Sequence, residues 1–470
     1  MIDLDSQRTT WPPALTIGDD GRVLMDGIDL DALAREHGTP LWVVSRSTIE
    51  ENYNGLVAAF RQRWPRCEVA YSMKANNALA VSRLLARCGA PMDTSSEFEV
   101  RMAMDAGVPA GDIIVNGNGK SDSALEQAAR IGVRQVNVDS LDEARRLDRI
   151  AGELGVRVPC LVRVQLAYER LLEQDPSFES TLRIGEGKFG SNVAGDQAYE
   201  TIRAVVESAH LDFLGLHHHV GFSGYMGDYT PDREVMHHRE CTSELCGIAN
   251  EARHRFGAAV QRLDLGGGFR GGRSMILSTP GAATDLSVHP LPAARDYADA
   301  IFGAIEDDLE ADEPPLVQFE SGGYMVSNAV VLLATVSEVK DVFTTPARRF
   351  VTVDGSMMMF VSRGMMRVGH PVLPARDPFR PPDDIAVELC GQTCVYDSIA
   401  EDIRLPAVAA GDVLLVLNQG AYCETESTQF GGFPRPEVVL LSGGAATVIK
   451  RRETLADIVE RDTIPPELWT

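Results

Sequence analysis

Lys74 closes the apolar run Glu68-Val69-Ala70-Tyr71-Ser72-Met73-Lys74. A strand this apolar is buried on both faces, and an ammonium at its end is costly to bury without a use. Partial desolvation lowers a lysine's pKa and lets its amine form a Schiff base with a carbonyl. The plain alternative is a strand-end lysine reaching solvent, so the company it keeps decides. Leu263-Asp264-Leu265 runs into Gly266, Gly267 and Gly268. Successive glycines let backbone amides approach an anion closely, as phosphate cradles require, although glycine clusters also mark ordinary turns.

His217, His218 and His219 follow one another. On a strand His217 and His219 share a face. A strand-end imidazole can stack on an aromatic ring or sit as a satisfied core histidine. No HExxH pattern or neighbouring carboxylate pair accompanies them, so no metal is expected. Glu320, in Phe319-Glu320-Ser321-Gly322-Gly323, can hold a protonated ring nitrogen, or pair with an arginine such as Arg163. Lysine, glycine cradle, stackable histidine and carboxylate together make the parts of a pyridoxal 5′-phosphate site.

These residues need a frame. Short apolar runs recur at Val69–Lys74, Ala90–Asp93, Ile113–Asn116, Gln135–Asp139, Cys160–Val164, Phe213–His219, Arg262–Gly266 and Leu316–Glu320. Helix-like stretches such as Ser96–Ala106 and Ser140–Leu154 lie between them. Strand alternating with helix predicts parallel βαβ units closed into a (β/α)8 barrel, whose chemistry collects at the C-terminal strand ends. Lys74, Asp93, Asn116, Asp139, Arg163, His219, Gly266 and Glu320 fall there. After about Ser327 the strands Val330–Val336, Phe350–Asp354, Ile385–Cys390, Val413–Asn418, Val438–Leu441 and Ala446–Lys450 lack long helices between them, which predicts an antiparallel β domain. Leu15–Ile17, Val23–Met25 and the helix Leu30–His37 are expected to join it. The expected fold class is therefore α/β plus β, with residues 1–44 joining the β domain, 45–326 the barrel and 327–470 the β domain itself.

The 470 residues are 44% hydrophobic and 24% charged, the profile of a soluble globular enzyme. The acidic start without a signal-like apolar stretch, and eight cysteines with no paired spacing, fit a reducing cytoplasm. A net charge of −24 disfavours nucleic acid or an anionic membrane as partner. No apolar run reaches the length of a membrane span.

The chain resembles the alanine-racemase-type (fold III) pyridoxal-phosphate decarboxylases, the diaminopimelate, ornithine and arginine decarboxylase group. The matching blocks are Tyr71–Asn76, Asp93–Glu99, Asn116–Lys120, Lys188–Gly190, His217–Gly221, Gly266–Phe269, Glu320–Gly322, Cys394 with Asp397, and Gly420–Tyr422. They span nearly the whole chain in family order. The resemblance implies that Lys74 carries the cofactor as a Schiff base, His219 stacks on the ring and Glu320 binds the pyridine nitrogen. It implies that Gly266, Gly267, Gly268 and Tyr422 hold the phosphate, with Asp93, Arg163 and Ser223 in the cofactor-binding set. It implies a head-to-tail homodimer in which Cys394 enters the partner's site and returns a proton after CO2 leaves. Tyr396, Asp397, Arg363 and Tyr422 would face the substrate.

Three positions depart from the family pattern. Gly323 stands where the family's Glu-x-Gly-Arg has arginine, and Phe222 interrupts the His-x-Gly-Ser block before Ser223. Val395 follows Cys394 where diamine-forming members carry an acid for the distal ammonium, which weakens a standard diaminopimelate or ornithine pocket. The Asp354-Gly355-Ser356-Met357 stretch, with His370-Pro371-Val372 further on, is more similar to decarboxylases of antibiotic and siderophore pathways. Some of those act on an aminoacyl group held by an acyl carrier protein, a possible partner here. The alternatives are a racemase on the same cofactor, disfavoured by Glu320, and a catalytically silent antizyme-inhibitor-like binder, disfavoured by the intact Lys74 and Cys394.

Overall fold

The computed structural model describes residues 8–179, 187–221, 229–279, 282–343, 347–360 and 368–469. The chain divides into two compact units, one of residues 1–48, 274–288 and 326–470, the other of 49–273 and 289–325.

The second unit is a closed barrel. Its eight strands are β1 (Cys67–Ser72), β2 (Met92–Thr94), β3 (Ile113–Val115), β4 (Gln135–Val138), β5 (Val158–Gln165), β6 (Leu211–His217), β7 (Arg262–Asp264) and β8 (Leu316–Ser321). Each pairs in parallel with the next, and β8 pairs with β1, as the strand–helix alternation predicts. The helices between them begin where the sequence places caps. Ser96 accepts from the Glu99 amide, Ser121 from Ala124 and Ser140 from Glu143, each satisfying a helix-start amide that would otherwise lack a partner. Gly132 and Gly155 end their helices in the left-handed conformation.

Barrels of this type usually fill their interior with branched apolar side chains. This one is polar inside. Gln135 and Asn137 on β4, Gln318 and Glu320 on β8, Asp264 on β7 and His217 on β6 are all buried. Residues two apart share a strand face, so β4 and β8 each contribute two polar groups to the same enclosed space.

In the first unit Leu41–Ser45 lies between Val330–Val342, to which it is antiparallel, and Glu437–Ser442, to which it is parallel. The N-terminal segment thus joins the β unit, as expected. Arg348–Val353 pairs in parallel with Ala386–Cys390, so the sheet is antiparallel-rich rather than wholly antiparallel. Leu41, Val43, Val331, Leu333, Leu415, Val439 and Leu441 supply one apolar face, covered by Leu15, Val23 and Leu30 from the N-terminal strands and helix. Ser274–Thr279 and Ala282–Pro290, which no expectation made strands, pair within this unit's elements.

Candidate active site

Strand β1 ends at Ser72, and Lys74 sits two residues beyond it, on the single 3-10 turn Met73–Ala75. The Ser72 hydroxyl donates to Asp93 Oδ2 at 2.5 Å. Lys74 Nζ lies 3.8 Å from the same oxygen, with its side chain 39% exposed while Asp93 is fully buried. Burial first, and then the Glu320 charge, push Asp93 up to about 6, against Lys74, Asn116 and Ser72, which favour its ionised form.

Glu320 is the hub of the barrel mouth. Asn116 Nδ2 donates to Glu320 Oε1 and, at 2.6 Å, to Asp93 Oδ1. Asn137 Nδ2 reaches Glu320 Oε1 at 3.2 Å and Asn116 Oδ1 at 2.8 Å. His217 Nε2 meets Glu320 Oε2 at 3.2 Å. Burial alone would raise the Glu320 pKa. The proximity and hydrogen bond of His217, a hydrogen bond from Asp264 and the Lys74 charge override it and hold Glu320 well below its ordinary range. The Arg163 pairing left open from the sequence is not how Glu320 is satisfied. Arg163 instead places its guanidinium 4.5 Å from the centre of the Phe189 ring.

His219 lies just beyond the end of β6 rather than on it. Its Nδ1 accepts the Gly221 N–H at 2.9 Å. Burial, then the charges of Lys74 and Arg163, push it well below 6.5 and keep the ring neutral. The glycine run packs against it. A Cβ on Gly266 would stand 2.7 Å from His219 Cα, and one on Gly267 would stand 2.6 Å from the Glu320 carbonyl oxygen. Gly266 also has φ +63°, where side chains are strained. Among the described residues the amides of Gly267 and Gly268 donate to nothing.

Lys74, Asp93, His219, Gly266–Gly268 and Glu320 are therefore brought together at the C-terminal end of the barrel strands, with Arg163 close enough for its charge to act on His219. Cys394, Tyr396, Asp397 and Tyr422 belong to the other unit. Cys394 is exposed on the bend between Ala386–Cys390 and Ser398–Ile403, beside Val395 and Tyr396, which are 38% and 80% exposed. Asp397 is buried, and its carboxylate accepts from Ser356 Oγ at 2.8 Å, Met357 N at 2.7 Å, Thr393 N at 3.0 Å and the Thr393 hydroxyl. Those donors come from its own turn and from the Ser356-Met357 segment, and they turn its carboxylate inward. Tyr422, two residues after Gly420, has φ +56°. Ser223 and Arg363 lie outside the described residues.

Sequence reasoning passed over the polar residues beneath Glu320. His217, Asp264 and Glu320 bring ligand-type atoms within 4.8 Å of one another, and Gln318 Nε2 donates to Asp264 Oδ2 at 2.5 Å. The available signal was Gln135/Asn137 and Gln318/Glu320 at a spacing of two inside apolar runs.

A parallel eight-stranded barrel with a lysine after its first strand and an ionised carboxylate ending its last defines a pyridoxal-phosphate enzyme of the alanine-racemase fold type. Residues 47–327 match the family model described as "Pyridoxal-dependent decarboxylase, pyridoxal binding domain". The diaminopimelate decarboxylase of Methanothermobacter thermautotrophicus is 31% identical over 460 residues, covering 97% of this chain and 99% of that protein. That of Mycobacterium tuberculosis is 32% identical over 461 residues, covering 96% of each. The crystal structure of diaminopimelate decarboxylase from Methanocaldococcus jannaschii in complex with L-lysine superposes with a TM-score of 0.84 at 29% identity, covering 97% of this chain and 99% of that one. The chain belongs to the pyridoxal-dependent decarboxylase family, and it is a pyridoxal-phosphate-dependent amino-acid decarboxylase. No helix among the described residues is long and apolar enough to cross a membrane.

The residues fit the cofactor. An ionised buried carboxylate suits a protonated pyridine nitrogen, a neutral flat imidazole suits a ring face, and undonated glycine amides suit a phosphate.

Proposed function

We propose that the chain removes the α-carboxylate of an amino acid with a second polar end, and that diaminopimelate is the first substrate to test. The observation that carries the decarboxylase chemistry is an ionised Glu320 sharing one barrel mouth with Lys74. The substrate reading is supported by relatives called diaminopimelate decarboxylase that match over almost the full length of both chains.

Pyridoxal phosphate, when bound, supplies an electron sink for the bond to the departing carboxylate. Lys74 is assigned to hold it covalently through Nζ, Glu320 to accept a hydrogen bond from the ring nitrogen, and neutral His219 to cover one ring face. Gly266–Gly268 are assigned to the phosphate through their amides, together with Tyr422 and Ser223. Asp93 carries the negative charge beside Lys74, and Arg163 fixes the charge near His219. In a head-to-tail homodimer each chain would lend Cys394, whose Sγ gives a proton to the carbon that has lost CO2, and Tyr396 and Arg363 would face the substrate.

One observation favours a second substrate reading. The bend bearing Cys394 presents Val395 and Tyr396, while its nearest acid, Asp397, is turned inward and occupied. A distal ammonium would find no carboxylate on that bend and would pay for its desolvation. This suits a substrate whose far end is amidated, acylated or joined to a carrier protein.

Release of CO2 should be measured from meso-diaminopimelate, from both enantiomers of lysine and ornithine, and from aminoacyl groups on an acyl carrier protein. Turnover of diaminopimelate at least about tenfold above the others is expected. Turnover of carrier-linked substrate alone would transfer the assignment to the second reading. Borohydride should fix the cofactor to Lys74, and recovery of the label on another lysine would end the Lys74 assignment.

A further inference from the structure

We infer that Asp264 is a positioning residue that stays a carboxylic acid, sharing its proton with Glu320 so that Glu320 remains the anion at the floor of the cofactor pocket. The inference rests on the assignment of Glu320 to the ring nitrogen, and the experiment below separates the two.

Asp264 and Glu320 are both fully enclosed, on adjacent strands β7 and β8, and hydrogen-bond each other. Asp264 has no ion-pair partner among the described residues. The charged and titratable groups that face it are Glu320 from β8, Asp93 from β2, His217 from β6 and Arg262 from its own strand, with Lys74 beyond Asp93. Arg262 lies lower, where its Nη1 donates to Gln135 Oε1. Two carboxylates in contact inside a low-dielectric space cannot both ionise without a cation between them. One proton must stay.

The donors decide where it stays. Glu320 receives Asn116, Asn137 and His217. Asp264 receives amide donors only, from Gly266 at 3.0 Å, Gln318 at 2.5 Å and Gln135 at 3.4 Å. The His217 imidazole and the Lys74 charge favour the anion at Glu320, with no counterpart at Asp264 among the described residues, so the proton settles on Asp264. Burial and the neighbouring Glu320 charge also raise the Asp264 pKa well above the carboxylate range, while Glu320 goes the other way. Asp264 is also tied to the glycine loop through Gly266, so one side chain sets both the carboxylate under the ring and the start of the phosphate segment.

The test compares D264N, D264A, D93N and E320Q in the full-length holoenzyme. An asparagine can still donate to Glu320, because Gln318 Oε1 is buried with no partner and can accept from it once the Gln318 amide turns over. Infrared spectra near pH 7.5 should show an exchangeable carboxylic-acid carbonyl band in the wild type and in D93N that is lost in D264N and D264A. D264N should keep kcat within about threefold, with an unchanged pH titration of the cofactor band. D264A should lose about 10- to 100-fold in kcat, with little change in KM and a shifted titration, as expected when an anion loses one charge-assisted donor. Absence of the carboxylic-acid band from the wild type overturns the inference, even if D264A fails to fold. So does a folded D264N as impaired as D264A, because Asp264 would then be needed as an anion. An E320Q enzyme with unaltered kcat and cofactor spectrum would instead remove Glu320 from the ring nitrogen, an outcome independent of the infrared band.

Discussion

At the scale of single residues, the barrel mouth is a problem of three carboxylates and few cations. Asp93, Asp264 and Glu320 are all fully buried. They cope differently because their donors differ. Glu320 gathers amide and imidazole donors and stays ionised, whereas Asp93 has Lys74 at 3.8 Å and neutral donors only. The folded state therefore raises Asp93 from its ordinary 3.8 to about 6. Between those values the folded protein holds a proton that the unfolded chain has released. A raised acid makes stability fall as pH rises through that window, because the unfolded state binds fewer protons there. Glu320 acts in the opposite sense at lower pH: its depressed pKa adds stability above its ordinary 4.5 that is lost as pH falls. Comparing the melting temperatures of wild type and D93N from pH 4 to 7 isolates the Asp93 contribution. The wild type should lose stability relative to D93N as pH rises toward about 6, then run parallel to it. A difference that does not vary with pH would show that Asp93 is already ionised throughout.

At the scale of elements, what positions the chemistry is a set of strand ends and the short turns just past them. The strand ends were legible because an apolar run that stops on a polar residue marks itself. The barrel followed from eight such runs with helices between, and the helix-like stretches expected to start at Ser96 and Ser140 do start there, each serine capping its helix. Other features were less legible for physical reasons. Lys74 and His219 leave their strands by a residue or two, a distance set by the turn each strand makes and not by side-chain pattern. Asp264 and Gln318 sit inside apolar runs, where one polar residue reads as an edge or an error until its partner on the next strand is known. The parallel pairing of Leu41–Ser45 with Glu437–Ser442 joins segments almost 400 residues apart, beyond the reach of any local signal. The bend of Cys394 shows the same limit. Asp397 is expected near the substrate by its place after the cysteine, and its carboxylate has a second task no pattern announces, tying Thr393 to Ser356 and Met357. Replacing it by alanine strands the Met357 and Thr393 amides in a partly buried turn, at about 1–3 kcal/mol for an unsatisfied group. D397A should therefore unfold about 2–4 kcal/mol more easily in urea, and D397N, which keeps one acceptor, by less. Both should retain the Lys74-linked cofactor band, and the loss in activity should appear in kcat. A normal stability with KM raised alone would return Asp397 to the substrate.

At the scale of the whole molecule, the residues assigned to one reaction are divided between two compact units of the chain. Lys74, His219, Gly266–Gly268 and Glu320 belong to the barrel, and Cys394, Tyr396 and Tyr422 to the β unit. A protein that folds its cofactor residues and its proposed proton donor as parts of different units can complete a site by using either its own β unit or that of a second copy. In the proposed head-to-tail dimer the second copy would complete it, and that proposal has a quantitative consequence. K74A should bind no cofactor covalently, and C394A should keep the cofactor band but release CO2 far more slowly. If each site takes its lysine from one chain and its cysteine from the other, a hybrid of the two variants has one site with both residues intact and one with neither. Random reassociation of equal amounts makes half of the dimers hybrid, so activity should recover to about one quarter of wild type. Dilution below the dissociation constant should abolish that recovery together with wild-type activity. A mixture no more active than its two parents would mean that Cys394 serves the barrel of its own chain, or none.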